Sequence, residues 1–140
     1  MYQRDYILRL IEQMINTLAV FFGLLKKEEF NKAGDLLSNA YYELLKEESA
    51  FFRGIPEEEL TSELLERHNY TNDHLEIVAE LFNAEAELCL AQGNKKDALI
   101  WTRKSLRLFR YFDQATKTYS QERIDKMEAM ERRIEVLGEV

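Results

Sequence analysis

The feature that most constrains this chain is its shortage of chain-breaking residues: 140 residues carry only five glycines and one proline. Sheets and sandwiches need many tight turns, and tight turns draw on Gly and Pro. The scarcity therefore predicts few reversals joined by long helices. The apolar spacing agrees. Ile7, Leu10, Ile11, Met14, Leu18, Phe21, Phe22 and Leu25 recur at steps of three and four, which predicts a helix over residues 3–26. Val20 and Leu24 add a second apolar side in its later half. A helix apolar on two sides is covered on two sides, by its own chain or by a partner.

The same spacing in Phe30, Ala33, Leu37, Ala40, Tyr41 and Leu44 predicts a second helix over residues 28–46, with Glu28 and Lys32 as an i,i+4 pair on its wet side. Pro56, followed by three glutamates that complement a helix N-terminus, predicts a short helix over 57–68 with Leu60, Leu64 and Leu65 inward. Asp73 followed by Glu76 reads as a capping box opening a helix over 74–92. Its stripe is Leu75, Val78, Ala79, Phe82, Ala86, Cys89 and Leu90, and Gly93 ends it. A fifth helix follows over 95–112. Thr118 with Gln121 is expected to cap a sixth over 119–137, whose narrow seam is Ile124, Met127, Met130, Ile134 and Leu137. Such a seam packs along one neighbour or against another chain. No segment alternates with period two, so no sheet is expected.

The expectation is one all-α domain: an antiparallel helix–turn–helix array of five to six helices. Its parts are a first helix pair (1–47), a short helix (57–68), a central hairpin (73–112) and a C-terminal capping helix (118–138). Hydrophobic residues at 46% and charged residues at 32% place it among globular chains rather than disordered ones. The net charge of −7 argues against non-specific binding of nucleic acid by the whole molecule. That charge is uneven: residues 57–87 carry ten acids against Arg67, and residues 95–110 carry six bases against Asp97. Adjacent antiparallel helices of opposite sign attract. One cysteine allows no internal disulfide. The most apolar run, residues 18–25 (LAVFFGLL), has eight residues where a bilayer span needs about 20, and it lacks a small-residue cleavage site. No membrane partner is expected, and the expected home is the cytoplasm.

Within residues 81–112 two amphipathic patterns meet at Gly93-Asn94, and Ala98 follows Gly93 by five residues. Phe82 is bulky early in the first pattern, Ala86 small where two helices would cross, and Leu106 a late apolar residue of the second. This segment resembles a tetratricopeptide repeat, a unit that builds binding surfaces rather than active sites. Cys89, Thr102, Ser105 and Arg110 depart from that pattern, standing where aromatic residues, Ala and Pro are usual. A second copy runs through Phe30, Ala33, Leu37 and Ala40, with Phe21 at a position that is small in the repeat. Ala33 and Ala98 lie 65 residues apart, near twice the period of about 34. The opening DYILRLIEQM of residues 5–14, followed by these repeats, is also similar to a family of short bacterial repeat-like proteins with no established activity.

The resemblance implies that the first helix of each pair lines a groove. Its groove positions are then Glu80, Asn83 and Glu87, an acidic face suited to a basic or amide-rich peptide, or else an ordinary solvated face. Two glutamates among these three argue against clamping a peptide's terminal carboxylate. The same positions on the first helix are Ile15, Leu18, Phe22 and Leu25, an apolar face. It is expected to be core, the seam of a homodimer, or the anchor for a protein or peptide partner. Lys96, Arg103, Arg107 and Arg110 form a basic stripe with Phe109, Tyr111 and Phe112 interleaved. That stripe either contacts a polyanion or pairs with neighbouring acids while its aromatics point inward. His68 and His74 lack the Glu-x-x-His spacing of a carboxylate bundle, since Leu65 and Thr71 precede them by three. Their expected role is capping and turn formation. Cys89 sits on an apolar stripe and reads as a small hydrophobe. No metal, cofactor or catalytic group is expected. The function these residues imply is protein–protein interaction, with a structural homo-oligomer and nucleic-acid binding by the fifth helix as alternatives.

Overall fold

A computed structural model describes residues 2–138 of the chain, with side chains from residue 5 onward. It is all-α, with no strand among the described residues. The helices are α1 (Tyr2–Lys26), α2 (Phe30–Leu45), α3 (Ser49–Arg53), α4 (Leu60–Ser62), α5 (Asn72–Ala91), α6 (Lys95–Thr116) and α7 (Gln121–Gly138). The described residues hold seven helices where five or six were expected, and the one without an expected counterpart is α3, of five residues. The short helix expected over 57–68 is a run of three step sizes: a 3₁₀ turn at Glu57–Glu59, the α-turn α4, and a π-turn at Glu63–Arg67. Leu60 and Leu64 are fully buried along it, while Leu65 is half-buried.

The chain divides into two compact units, residues 1–55 and residues 56–140. In the first, α1 packs on α2 and α2 on α3. The core is built from Ile7, Leu10, Met14 and Phe21 of α1, and from Ala33, Leu37, Ala40, Tyr41 and Leu44 of α2. Phe52 of α3 is fully buried and stacks on Tyr41 at 5.2 Å between ring centroids. The helix α1 closes where the second helix was expected to open. Glu28 takes a left-handed φ of 61°, its N–H donates to the Leu25 carbonyl, and the Glu29 N–H donates to Leu24, both at 3.0 Å. These are the two bonds that satisfy orphan carbonyls at a helix C-terminus. Glu29, not Glu28, accordingly pairs with Lys32, at 3.4 Å.

In the second unit the start of α5 is capped by Thr71 and not by Asp73. Thr71 Oγ1 accepts from the His74 N–H, and His74 Nδ1 accepts from the Thr71 N–H at 3.0 Å, so histidine takes the reciprocal place that Glu or Gln holds in most capping boxes. Gly93, at φ 79°, ends the helix: its N–H donates to Leu90 and that of Asn94 to Cys89. Asn94 then opens α6, its Oδ1 accepting from the Asp97 N–H at 3.2 Å. A three-residue connection thus folds α6 back on α5, the most extensive helix pairing among the described residues. The facing surfaces carry small residues, with Ala79, Ala86, Ala98 and Ser105 all fully buried. Short side chains are what lets helix axes approach to about 8–10 Å. Phe82 packs beside Trp101 at 5.1 Å. Four residues beyond its expected end, α6 stops at Thr116, where Lys117 turns left-handed. Ser120, rather than Thr118, caps α7 by accepting from the Arg123 N–H at 3.2 Å. Packed on α6, α7 buries Met130 and Leu137 and half-buries Ile124, Met127 and Ile134.

Candidate functional site

The apolar stripe of α1 resolves into two adjacent rows. Ile7, Leu10, Met14 and Phe21 are buried in the core. Beside it runs a second row of Leu8, Ile11, Ile15, Leu18, Phe22 and Leu25, at steps of 3, 4, 3, 4 and 3. This second row is open: Leu8 is 53% exposed, Ile15 59% and Phe22 40%, while Ile11, Leu18 and Leu25 are half-buried. The groove face expected at Ile15, Leu18, Phe22 and Leu25 is the later part of this row, and Leu8 and Ile11 extend it. A 3,4 repeat with two apolar residues per seven is the pattern of a helix that meets another helix along a narrow seam.

The seam has an open depression at one end and one charged flank. A depression of about 460 Å³ lies beside Gly23, lined by Phe22, Leu25 and Lys26. A Cβ placed on Gly23 would meet nothing within 4 Å, so this end of the seam borders open space. Exposed Asp5, Glu12 and Lys26 lie along one flank of the seam at multiples of seven residues, with Ala19 between Glu12 and Lys26. By length and composition the stretch Asp5–Lys26 also suffices to cross a membrane, a wider window than the eight-residue run alone.

In the second unit the acidic face of α5 is occupied by the chain's own last helix. Lys126 Nζ donates to both carboxylate oxygens of Glu80, at 2.8 and 2.7 Å. Arg133 donates to Asn83 Oδ1 at 3.2 Å, to Thr102 Oγ1 at 3.3 Å, and to Glu87. One turn earlier, Arg123 reaches Glu76 at 3.3 Å and Asp113 of α6 at 2.7 Å. Arg123 also lies over the Phe112 ring, and Lys126 over Phe109. The paired residues are 47, 46 and 46 positions apart going along both helices, so α7 runs parallel to α5. Burial pushes the Glu76 carboxyl above its ordinary value, and the Arg123 charge opposes that shift only in part. The acids of α5 thus find their bases on α7, whereas the sequence pointed to the bases of the neighbouring α6.

The basic stripe of α6 faces elsewhere. Arg103, Arg107 and Arg110 line a cleft of about 530 Å³ with Leu106, Tyr111 and Ile134. Arg107 pairs with Glu57 at 3.1 Å and Arg110 with Glu131 at 3.2 Å; Lys96 is exposed. Phe109 and Phe112 are buried, which leaves Tyr111 as the aromatic at this surface. Stacking of bases on successive aromatics therefore has no platform here. Lys104 is buried over the Trp101 ring at 5.0 Å, and burial lowers its pKa, opposed by Glu57 and Glu58.

Cys89 is half-buried rather than in the core. His74 belongs to the α5 cap and stacks on Tyr70 at 4.9 Å, and His68 lies 5.9 Å from the same ring. No group of three or more His, Cys, Asp or Glu among the described residues is placed to hold a metal ion. In comparisons with known proteins, no family model, no curated protein and no solved structure matches this chain.

Proposed function

We propose that this chain is a tetratricopeptide-like helical module whose work is protein–protein interaction, and that a helix of its partner docks along the open seam of α1. The observation that carries this reading is the exposed 3,4 row from Leu8 to Leu25 on a helix whose other apolar row is already in the core. Six apolar side chains in one line bind a helix well and serve poorly in water, each being worth about 1.5–3 kcal/mol when fully buried. Leu18, Phe22 and Leu25 are the anchors, with the shallow depression beside Gly23 as a socket. Glu80, Asn83 and Glu87 enter as the seat of α7, not as the first contact with a partner.

The repeat-like part of the reading is supported by α5, α6 and α7. An antiparallel pair followed by a helix parallel to the first is the order of one tetratricopeptide unit and the opening helix of the next. The offset of 46 residues exceeds the repeat's usual period of about 34, because α5 and α6 are longer than repeat helices. The test uses tagged protein as bait in extract of its own cells. A protein held by the native chain and released by Ile15→Glu/Phe22→Glu, at unchanged helix content, is the expected result. Equal retention by both chains overturns the seam as the docking face.

A further inference from the structure

We propose that the helix received by the α1 seam is α1 of a second copy, lying antiparallel; this rests on the reading of the seam as a docking face. The register follows from the row itself. In an antiparallel pair, residues at equal height have numbers that sum to a constant. With a sum of 33, Leu8 meets Leu25 of the second copy, Ile11 meets Phe22, and Ile15 meets Leu18, and each pair recurs on the other side of the two-fold axis. All six seam residues then have an apolar partner, over 18 residues or about 27 Å of helix. The same register brings Leu8 and Ile11 of one copy to the depression that Phe22, Gly23 and Leu25 line on the other.

The flank selects this direction over the parallel one. Lys26 comes level with residue 7 of the second copy, between Asp5 and Glu12, so opposite charges meet at both ends and Ala19 leaves the middle of the flank free of bulk. A parallel pair would set Asp5, Glu12 and Lys26 against the opposite flank of the second copy, where Ile7, Met14 and Phe21 are apolar and buried in its own core, and would leave those charges without partners. The seam is also a stripe and not a sleeve. Arg9, Glu12 and Asn16 are exposed beside it, and its other flank is in the core with α2, whereas a bilayer span is apolar all round.

The test combines mass with register. Light scattering on a sizing column is expected to give twice 16.6 kDa at about 100 µM, and Ile15→Glu/Phe22→Glu to return it to 16.6 kDa. In a Cys89→Ala background, mild oxidation is expected to crosslink Leu8→Cys/Leu25→Cys between chains, and to leave Leu8→Cys alone uncrosslinked. Within one chain these two positions are about 25 Å apart on a helix and cannot join. The crosslinking arm stands even if the glutamate variant fails to fold. A monomer at every concentration, or crosslinking of Leu8→Cys alone, overturns the proposal. A monomer that releases a different protein when the seam is substituted overturns self-pairing and keeps the interaction reading. A monomer whose seam binds phosphatidylcholine vesicles overturns self-pairing in favour of a membrane, and a monomer with neither partner overturns both readings.

Discussion

Ser105 Oγ donates a 2.7 Å hydrogen bond to the Ala79 carbonyl, tying α6 to α5 at a point where neither residue is exposed. The hydroxyl adds a link between the two helices at a site where only a small side chain fits. Ser105→Ala is expected to cost about 1 kcal/mol, the net worth of one such bond. Ser105→Leu is expected to cost more, about 1–3 kcal/mol or above, because the close crossing has no room for it. Urea unfolding of both variants checks the order, and a leucine variant as stable as the alanine one would refute the close crossing.

Arg123 holds α7 through the most buried of the ion pairs among the described residues. It serves a buried carboxylate, Asp113, with side chains 14% and 4% exposed, whereas Arg110 meets Glu131 with both more than half exposed. Breaking a buried pair leaves an uncompensated charge; breaking an exposed one frees two hydrated groups. Arg123→Met is expected to lower stability by about 3 kcal/mol, and Arg110→Met by under about 1 kcal/mol. Unfolding midpoints in urea measure both, and equal losses would contradict the burial of the first pair.

The α5 cap makes stability depend on pH. Burial lowers the His74 pKa below its ordinary 6.5, with Asp73 opposing, so the folded chain favours the neutral ring that accepts from the Thr71 N–H. For a group whose pKa is depressed on folding, the stabilisation is present above the unfolded value and is lost as pH falls through the folded one. The melting temperature is therefore expected to decline from about pH 7 to pH 5 in part through His74. His74→Gln keeps a reciprocal acceptor without a titrating group, so it is expected to hold its stability across that window better than the native chain. An identical decline in both would remove His74 from the account.

Much of this fold is legible in the chain because helices announce themselves through local spacing. The turn at Gly93-Asn94 is readable from two residues, and the bonds there are those that these residue types favour. Caps are less legible where Thr71 and Asp73, or Thr118 and Ser120, each offer a side-chain oxygen two residues apart, and only the backbone conformation decides between the two. Helix α3 is hidden because five residues are too few to show a period. Glu80, Asn83 and Glu87 are readable as one face, but their partners Lys126 and Arg133 lie 46 residues or more downstream, where spacing within a helix carries no information. The two rows of α1 are likewise both apolar, so periodicity shows them together and only packing separates the buried one from the open one.

A chain with so few glycines has to end its helices with other residues. Glu28, Lys46, Asn69 and Lys117 all hold a positive φ near 60°, a conformation that costs residues with a Cβ about 1 kcal/mol or more. Lys117→Gly is expected to raise stability by about 0.5–1 kcal/mol in urea unfolding, and a loss would mean that the lysine side chain itself holds the end of α6. Several such positions in one small fold amount to an untapped margin. Substitutions there can offset harm done elsewhere, so the exposed surface is free to diversify faster than the scaffold beneath it.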